Sequence, residues 1–185
     1  MKALQTRKNI SLDGHDYSDA GAYFVTICVK DGHEMLGEIV VGAITNRPSN
    51  TGVQVLLSHY GQIVDIAIKN IPNIYENVRI DKYVIMPNHI HMIILINHGR
   101  LIIAPTQKTA SISTIIKGLK TAVTKQIGFS LWQKSFHDHI IRNKEEYQRI
   151  WNYIDENPAR WEEDCYYKKG LKLCNYGFQN PIPNM

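Results

Sequence analysis

Residues 23–29, Tyr-Phe-Val-Thr-Ile-Cys-Val, form an unbroken run of β-branched, aromatic and other apolar side chains and predict a strand. A turn at residues 30–33 leads to a predicted partner strand at 34–41, and a loop follows, punctuated by Asn46, Pro48, Ser49, Asn50 and Gly52. Val53, Leu56, Leu57, Tyr60, Ile63, Val64 and Ala67 then recur at helical spacing, predicting an amphipathic helix that ends before Pro72. Residues 78–86 predict a third strand and, after a short turn at Pro87-Asn88, residues 89–96 a fourth. The fourth is apolar on both faces, which places it in the middle of a sheet. Ser111 caps a second predicted helix built on Ile112, Ile115, Ile116, Leu119, Ala122, Val123 and Ile127, with Gly128 as its stop. Residues 136–142 predict a short fifth strand. Asn143 and Glu146 stand at capping-box spacing and open a third helix ending at Asn157-Pro158.

The order β-β-α-β-β-α-β-α predicts an α+β domain, with helices packed on an antiparallel sheet of four to five strands. That is one step from a ferredoxin-like plan. Residues 1–20 read as a polar N-terminal arm, 21–158 as the folded domain, and 159–185 as a polar C-terminal tail carrying Lys168, Lys169 and Lys172. The chain of 185 residues suffices for one domain with a real core. Its formal net charge of +4 permits a polyanionic partner without establishing one. Cys28, Cys165 and Cys174 cannot all pair and form no C-x-x-C spacing, so a disulfide framework or zinc finger is not expected and a reducing cytoplasm is the expected setting. No signal-peptide pattern and no membrane-length apolar run is visible, and no membrane partner is expected.

Chemistry-bearing residues concentrate in two places. His89 and His91 flank Ile90 in a predicted strand, so both imidazoles share one face, roughly 7 Å apart at the backbone. Such a pair fits two hydrogen-bonded core histidines or a chelate of one metal ion. On the third helix, Tyr147, Ile150, Trp151 and Ile154 form the apolar stripe, and Tyr153 lies roughly 110° from its centre. Asn157, four residues on, shares that flank. Its amide oxygen would complete a site of two nitrogens and one oxygen, a donor set suited to Mg²⁺ or Mn²⁺. Lys117, Lys120 and Lys125 lie on the polar side of the second helix, either as a solvated face or as phosphate contacts. His137-Asp138-His139 is a second H-x-H whose acidic middle residue suits a core strand poorly.

Met86-Pro87-Asn88-His89-Ile90-His91 resembles the His-hydrophobe-His motif of HUH endonucleases. The chain as a whole is similar to the REP-associated tyrosine transposases, relatives of the small insertion-sequence transposases with one catalytic tyrosine. The likeness also runs through Asp16-Tyr17, Gly21-Ala22-Tyr23-Phe24-Val25-Thr26, Trp132-Gln133, Phe136-His137-Asp138-His139 and Tyr153-Ile154-Asp155-Glu156-Asn157-Pro158. It implies a ferredoxin-like fold, a nucleophile at Tyr153, and metal ligands at His89, His91 and Asn157. It implies single-stranded DNA with imperfect hairpins as substrate, and an N-terminal arm that helps to recognise bases, with Arg7 and Lys8 as candidates. The family includes both monomers and homodimers.

The reaction so implied is attack by the Tyr153 phenol on a phosphodiester, leaving a 5′-phosphotyrosine and a free 3′-hydroxyl. A nearby cation favours the phenolate of a group whose pKa is ordinarily near 10. Rejoining is the reverse reaction, so no nucleotide cofactor is expected, and no G-x-x-x-x-G-K-[ST] loop occurs. Two other readings are a nucleic-acid-binding module that keeps the fold without cleavage, and a metal-dependent hydrolase in which Tyr153 is incidental.

Overall fold

A computed structural model describes residues 21–42, 52–97 and 110–167. The arm with Arg7 and Lys8, and the tail lysines Lys168, Lys169 and Lys172, lie outside the described residues. In chain order the elements are β1 (Gly21–Cys28), β2 (Gly37–Val41), β3 (Val53–Leu57), α1 (His59–Lys69), α2 (Ile71–Ile74), β4 (Val78–Ile85), β5 (His89–Ile96), α3 (Ile112–Ile127), β6 (His137–Ile141) and α4 (Lys144–Glu156). The main sheet has four strands in the order β4-β5-β1-β6, every pair antiparallel. With helices packed on it, the α+β class expected from the sequence holds, and the His-bearing strand β5 is internal.

Two expectations about the second quarter of the chain are corrected. β2 does not pair with β1; it pairs with β3 in a separate two-stranded ribbon. Both edges of β1 are already taken by β5 and β6, so a hairpin partner has no edge to join. The turn after β1 passes through positive φ at Asp31 and Gly32 and leads the chain away from the sheet. The second correction concerns residues 53–57, which belong to the ribbon and not to the helix. Their apolar spacing also fits a helix, but Val53 and Val55 are β-branched and alternate. The helix starts only after Ser58, whose Oγ accepts from Gly61 N at 3.1 Å.

Strand alternation sorts the core into two layers. Tyr23, Val25, Ile27, Ile90, Met92 and Ile94 point toward α1 and α3. Phe24, Ile93 and Ile141 point the other way and meet Ile150 and Ile154 of α4. Ser111 and Gly128 bound α3 as expected, Gly128 in the left-handed conformation at φ 90°.

The register of α4 over the sheet is fixed at both ends. Asn143 Oδ1 accepts from Glu146 N at 2.8 Å, and the Glu146 carboxylate accepts from Arg142 N at 2.8 Å and meets His139 Nε2 at 2.7 Å. This gives the second H-x-H motif a place: His139 ties β6 to the first turn of α4. Tyr147 hydrogen-bonds Asp81, and Lys82 pairs with Asp155 while lying over the Trp151 ring, joining α4 to β4. Beyond Glu156 the chain does not leave the fold at once. It continues as a 3-10 segment, Asn157–Glu163, with Pro158 in its first turn and Trp161 buried. Among the described residues no helix is long and apolar enough to cross a membrane.

Candidate active site on strand β5 and helix α4

The register of β5 against β1 sets His91 opposite Thr26 and His89 opposite Cys28, on the face covered by α4. Ile90 points into the opposite layer. Both imidazoles are fully buried, with ring centroids 4.4 Å apart. Each is held through Nδ1: His89 by Asn88 Oδ1 at 2.8 Å, His91 by Thr26 Oγ1 at 2.8 Å. Burial holds the His89 imidazole at a pKa of about 3, against an ordinary 6.5. His91 is pushed well below the ordinary value by burial and by the neighbouring His89, with Asp164 opposing. Both rings are therefore neutral near pH 7 and able to offer a lone pair.

Helix α4 brings Tyr153 and Asn157 to these rings. The Tyr153 hydroxyl lies 3.3 Å from His91 Nε2, its ring edge-on to Phe24. Tyr153 is on the flank of the helix, as its offset from the apolar stripe predicts. Asn157 follows one turn later, 2% exposed, with its Oδ1 buried and without a hydrogen-bond partner among the described residues. The four residues expected to form the site thus converge in one place.

A fifth residue joins them that the sequence did not single out. The turn after the 3-10 segment carries Asp164, whose Oδ2 accepts from Asn157 Nδ2 at 2.8 Å and lies 3.5 Å from Tyr153 Oη and 3.9 Å from His89 Nε2. The signal that could have found it is Trp161: an apolar anchor three residues past Pro158 implies that the chain turns back against the sheet. Trp161 indeed packs beside His89, and Tyr166 lies against the same ring at 4.4 Å.

The donor set fits a divalent cation. One ligand atom from each of His89, His91 and Asp164 lies within 4.8 Å of the others. Two ligands of one small ion sit at most about 4.4 Å apart, so the group is only a few tenths of an ångström too open. Among the described residues His89 Nε2 and Asn157 Oδ1 are both buried without hydrogen-bond partners, an unfavourable state that a cation would relieve. Imidazole, carboxylate and amide donors without a thiolate suit Mn²⁺ or Mg²⁺.

Without a cation the phenol is held protonated. Burial is the main cause; the charge of Asp164, the neighbouring Cys165 thiol and the hydrogen bond to Asp164 add to it, and a hydrogen bond from Asn157 opposes them.

The lysines expected to contact phosphates are not brought to this site, because α3 packs on the opposite face of the sheet from α4. Lys117 and Lys125 are exposed there. Lys120 instead donates to the carbonyls of Gln133 and Ser135 at 2.9 and 2.8 Å, and partial burial lowers its pKa to about 8. On β6, His137 stands opposite Thr26, so a row of His91, Thr26 and His137 crosses three strands.

No protein-family model matches the chain. It is 34% identical over 181 residues to an uncharacterised protein of Haemophilus influenzae, covering 89% of this chain and 94% of that one. Among solved structures it resembles a REP-associated tyrosine transposase bound to a REP hairpin, with a TM-score of 0.56 and 24% identity over 82% of this chain and 74% of that one. A more distant likeness is to the crystal structure of a candidate transposase from Deinococcus radiodurans, with a TM-score of 0.42 and 15% identity over 79% of this chain and 97% of that one. The chain belongs to one family with the Haemophilus influenzae protein, and its fold is that of a REP-associated tyrosine transposase.

Proposed function

We propose that the protein is a metal-dependent, site-specific single-stranded DNA endonuclease and strand transferase acting at hairpin repeats. One observation carries the reading: the Tyr153 hydroxyl sits 3.3 Å from His91 Nε2, beside two buried acceptors, His89 Nε2 and Asn157 Oδ1, that have no hydrogen-bond partner among the described residues. A tyrosine needed only for packing has no reason to border such a cluster. The REP hairpin held by the structural relative supports a hairpin-bearing strand as substrate.

His89, His91 and Asn157, with Asp164, would hold the cation, Mg²⁺ or Mn²⁺. When bound, it supplies positive charge that polarises a phosphate oxygen and favours the ionised phenol. Tyr153 is carried on a helix pinned at both ends, so its oxygen is positioned before substrate arrives. Its Oη attacks the scissile phosphorus, the O–P bond forms, and the bond to the 3′-oxygen breaks. The products are a 5′-phosphotyrosine and a 3′-hydroxyl: the phenolic proton leaves to solvent, and the departing 3′-oxygen takes a proton from solvent. The covalent link retains the phosphodiester energy, so strand joining is the reversal and uses no nucleotide cofactor.

The test is incubation of a single-stranded hairpin oligonucleotide with the protein and Mg²⁺ or Mn²⁺, beside Tyr153→Phe. A covalent protein–DNA adduct with wild type alone is expected. Cleavage by both proteins without an adduct would instead indicate attack by water, and binding with no cleavage a nucleic-acid-binding module.

A further inference from the structure

We propose that Asn88 is the positioning residue of this centre: it fixes His89 as the Nδ1–H tautomer and so turns the Nε2 lone pair toward His91, Asp164 and Asn157. The inference rests on the metal-site reading above, but its core is a chain of hydrogen bonds that can be followed without any ion.

The chain starts from backbone. The turn that carries Asn88 is pinned by Leu36 N donating to Pro87 O at 2.9 Å, Val29 N to Asn88 O at 2.8 Å and Met86 N to His89 O at 2.8 Å. The Asn88 side chain is thereby presented at a fixed place, 4% exposed. Its Nδ2 lies 3.3 Å from Gly32 O and 3.0 Å from Tyr166 O. Carbonyl oxygens only accept, so the amide NH₂ must face them; the opposite flip would set oxygen against two oxygens. Asn88 Oδ1 is then left facing His89 Nδ1 at 2.8 Å. An amide oxygen cannot donate, so the hydrogen belongs to Nδ1. A neutral imidazole has one N–H, which leaves Nε2 bare. That is the nitrogen found buried without a hydrogen-bond partner among the described residues, on the side of Asp164. A ligating histidine is ordinarily oriented in this way, by an acceptor on its other nitrogen.

Asn88 reaches two separated parts of the chain. Gly32 belongs to the turn after β1, and Tyr166 to the segment that delivers Asp164, whose Oδ1 accepts from Tyr166 N at 2.8 Å. One amide therefore relates the tautomer of the first histidine to the seating of the carboxylate opposite it.

The experiment uses the full chain, labelled with ¹⁵N-histidine and freed of metal by chelation. Long-range ¹H–¹⁵N correlation spectra read the His89 tautomer, and calorimetry reads Mn²⁺ affinity. Wild type is expected to show His89 as a single Nδ1–H species. Asn88→Ala should lose that preference and bind Mn²⁺ roughly 10- to 100-fold more weakly, the range for losing such a partner. Asn88→Asp keeps an acceptor opposite Nδ1 while losing both Nδ2 bonds. It should keep the tautomer and bind Mn²⁺ more tightly than Asn88→Ala. A purely structural role predicts instead that Asp and Ala fail alike. An Nε2–H tautomer in wild type, undiminished Mn²⁺ affinity in Asn88→Ala, or equal losses in both variants would overturn the proposal. A wild type that binds no Mn²⁺ would defeat the metal reading itself, and the tautomer spectra would still decide what Asn88 does.

Discussion

Replacing Asp164 by Asn removes one negative charge and leaves the side-chain shape nearly intact, because an amide oxygen can still accept from Asn157 Nδ2. In the wild-type structure the carboxylate oxygen stands 2.8 Å from Asn157 Nδ2, 3.5 Å from Tyr153 Oη and 3.9 Å from His89 Nε2. Its side chain is 1% exposed, so water does little to replace the lost charge. Removing one partner of a buried charge pair costs about 2–5 kcal/mol. At about 1.4 kcal/mol per tenfold, the dissociation constant for Mn²⁺ should rise by at least about 30-fold. Asn157→Ala removes only a neutral amide, worth about 1–2 kcal/mol, and should weaken Mn²⁺ by roughly tenfold.

An opposing effect must be kept apart. A phenolate and a carboxylate 3.5 Å apart repel by about 5 kcal/mol at an effective dielectric constant of 20. Halving that for water at the half-buried phenol still leaves about 2 kcal/mol favouring ionisation in Asp164→Asn. Cleavage rates would mix the two effects, so affinity is the cleaner measurement. Calorimetric titration of Mn²⁺ should rank wild type tightest, Asn157→Ala next and Asp164→Asn weakest. Equal affinities of wild type and Asp164→Asn would refute the reasoning, since a carboxylate this deeply placed cannot lose its charge beside a bound cation without cost.

Acid should destabilise the metal-free protein through its histidine pair. The folded pKa of His89, about 3, lies below its unfolded value of 6.5, so between them the unfolded chain binds more protons. Stability is then fully present above pH 6.5 and is lost as pH falls toward 3, and His91 acts in the same direction. Urea midpoints measured in chelator should decline across that window; a flat profile would contradict it. Gly61→Ala probes the junction of ribbon and helix. A Cβ there would overlap the Leu36 carbonyl oxygen, which already accepts from Ser58 N. Alanine gains about 1 kcal/mol of helix propensity, but backbone overpacking costs about 1–3 kcal/mol. A lowered melting temperature in Gly61→Ala is expected, and a raised one would show that α1 shifts freely.

The fold was most legible where pattern and boundary chemistry agreed. Ser111 and Gly128 enclose the apolar stripe of α3, Asn143 with Glu146 opens that of α4 and Asn157-Pro158 closes it, and both helices begin and end close to those markers. It was least legible at residues 53–57, whose apolar spacing fits a strand and a helix, and where alternating Val53 and Val55 with the Ser58 cap decide for the strand. Pairing was harder still. That β2 joins β3 depends on β1 having both edges occupied by strands from far along the chain, which no local pattern carries.

The site divides along the same physical line. His89 and His91 alternate on one strand, and Tyr153 and Asn157 are one turn apart on one helix, so each pair is held by a local period that sequence can display. What brings the two pairs together is α4 lying across β5, fixed by Lys82 with Asp155 and by Tyr147 with Asp81, residues far apart in the chain. Asp164 belongs to neither period. It reaches the histidines because the chain after Pro158 coils through a 3-10 segment and buries Trp161 beside His89. Asn88 illustrates the remaining gap: its place in the motif is plain from sequence, but its role follows from the carbonyls of Gly32 and Tyr166, which orient its amide. The four residues expected from sequence are thus marked by local spacing, while the arrival of Asp164 and the orientation of the Asn88 amide depend on packing and backbone groups that only the folded chain assembles. A substitution that spares His89, His91, Asn157 and Asp164 but disturbs those carbonyls should therefore raise the Mn²⁺ dissociation constant of the proposed cation site.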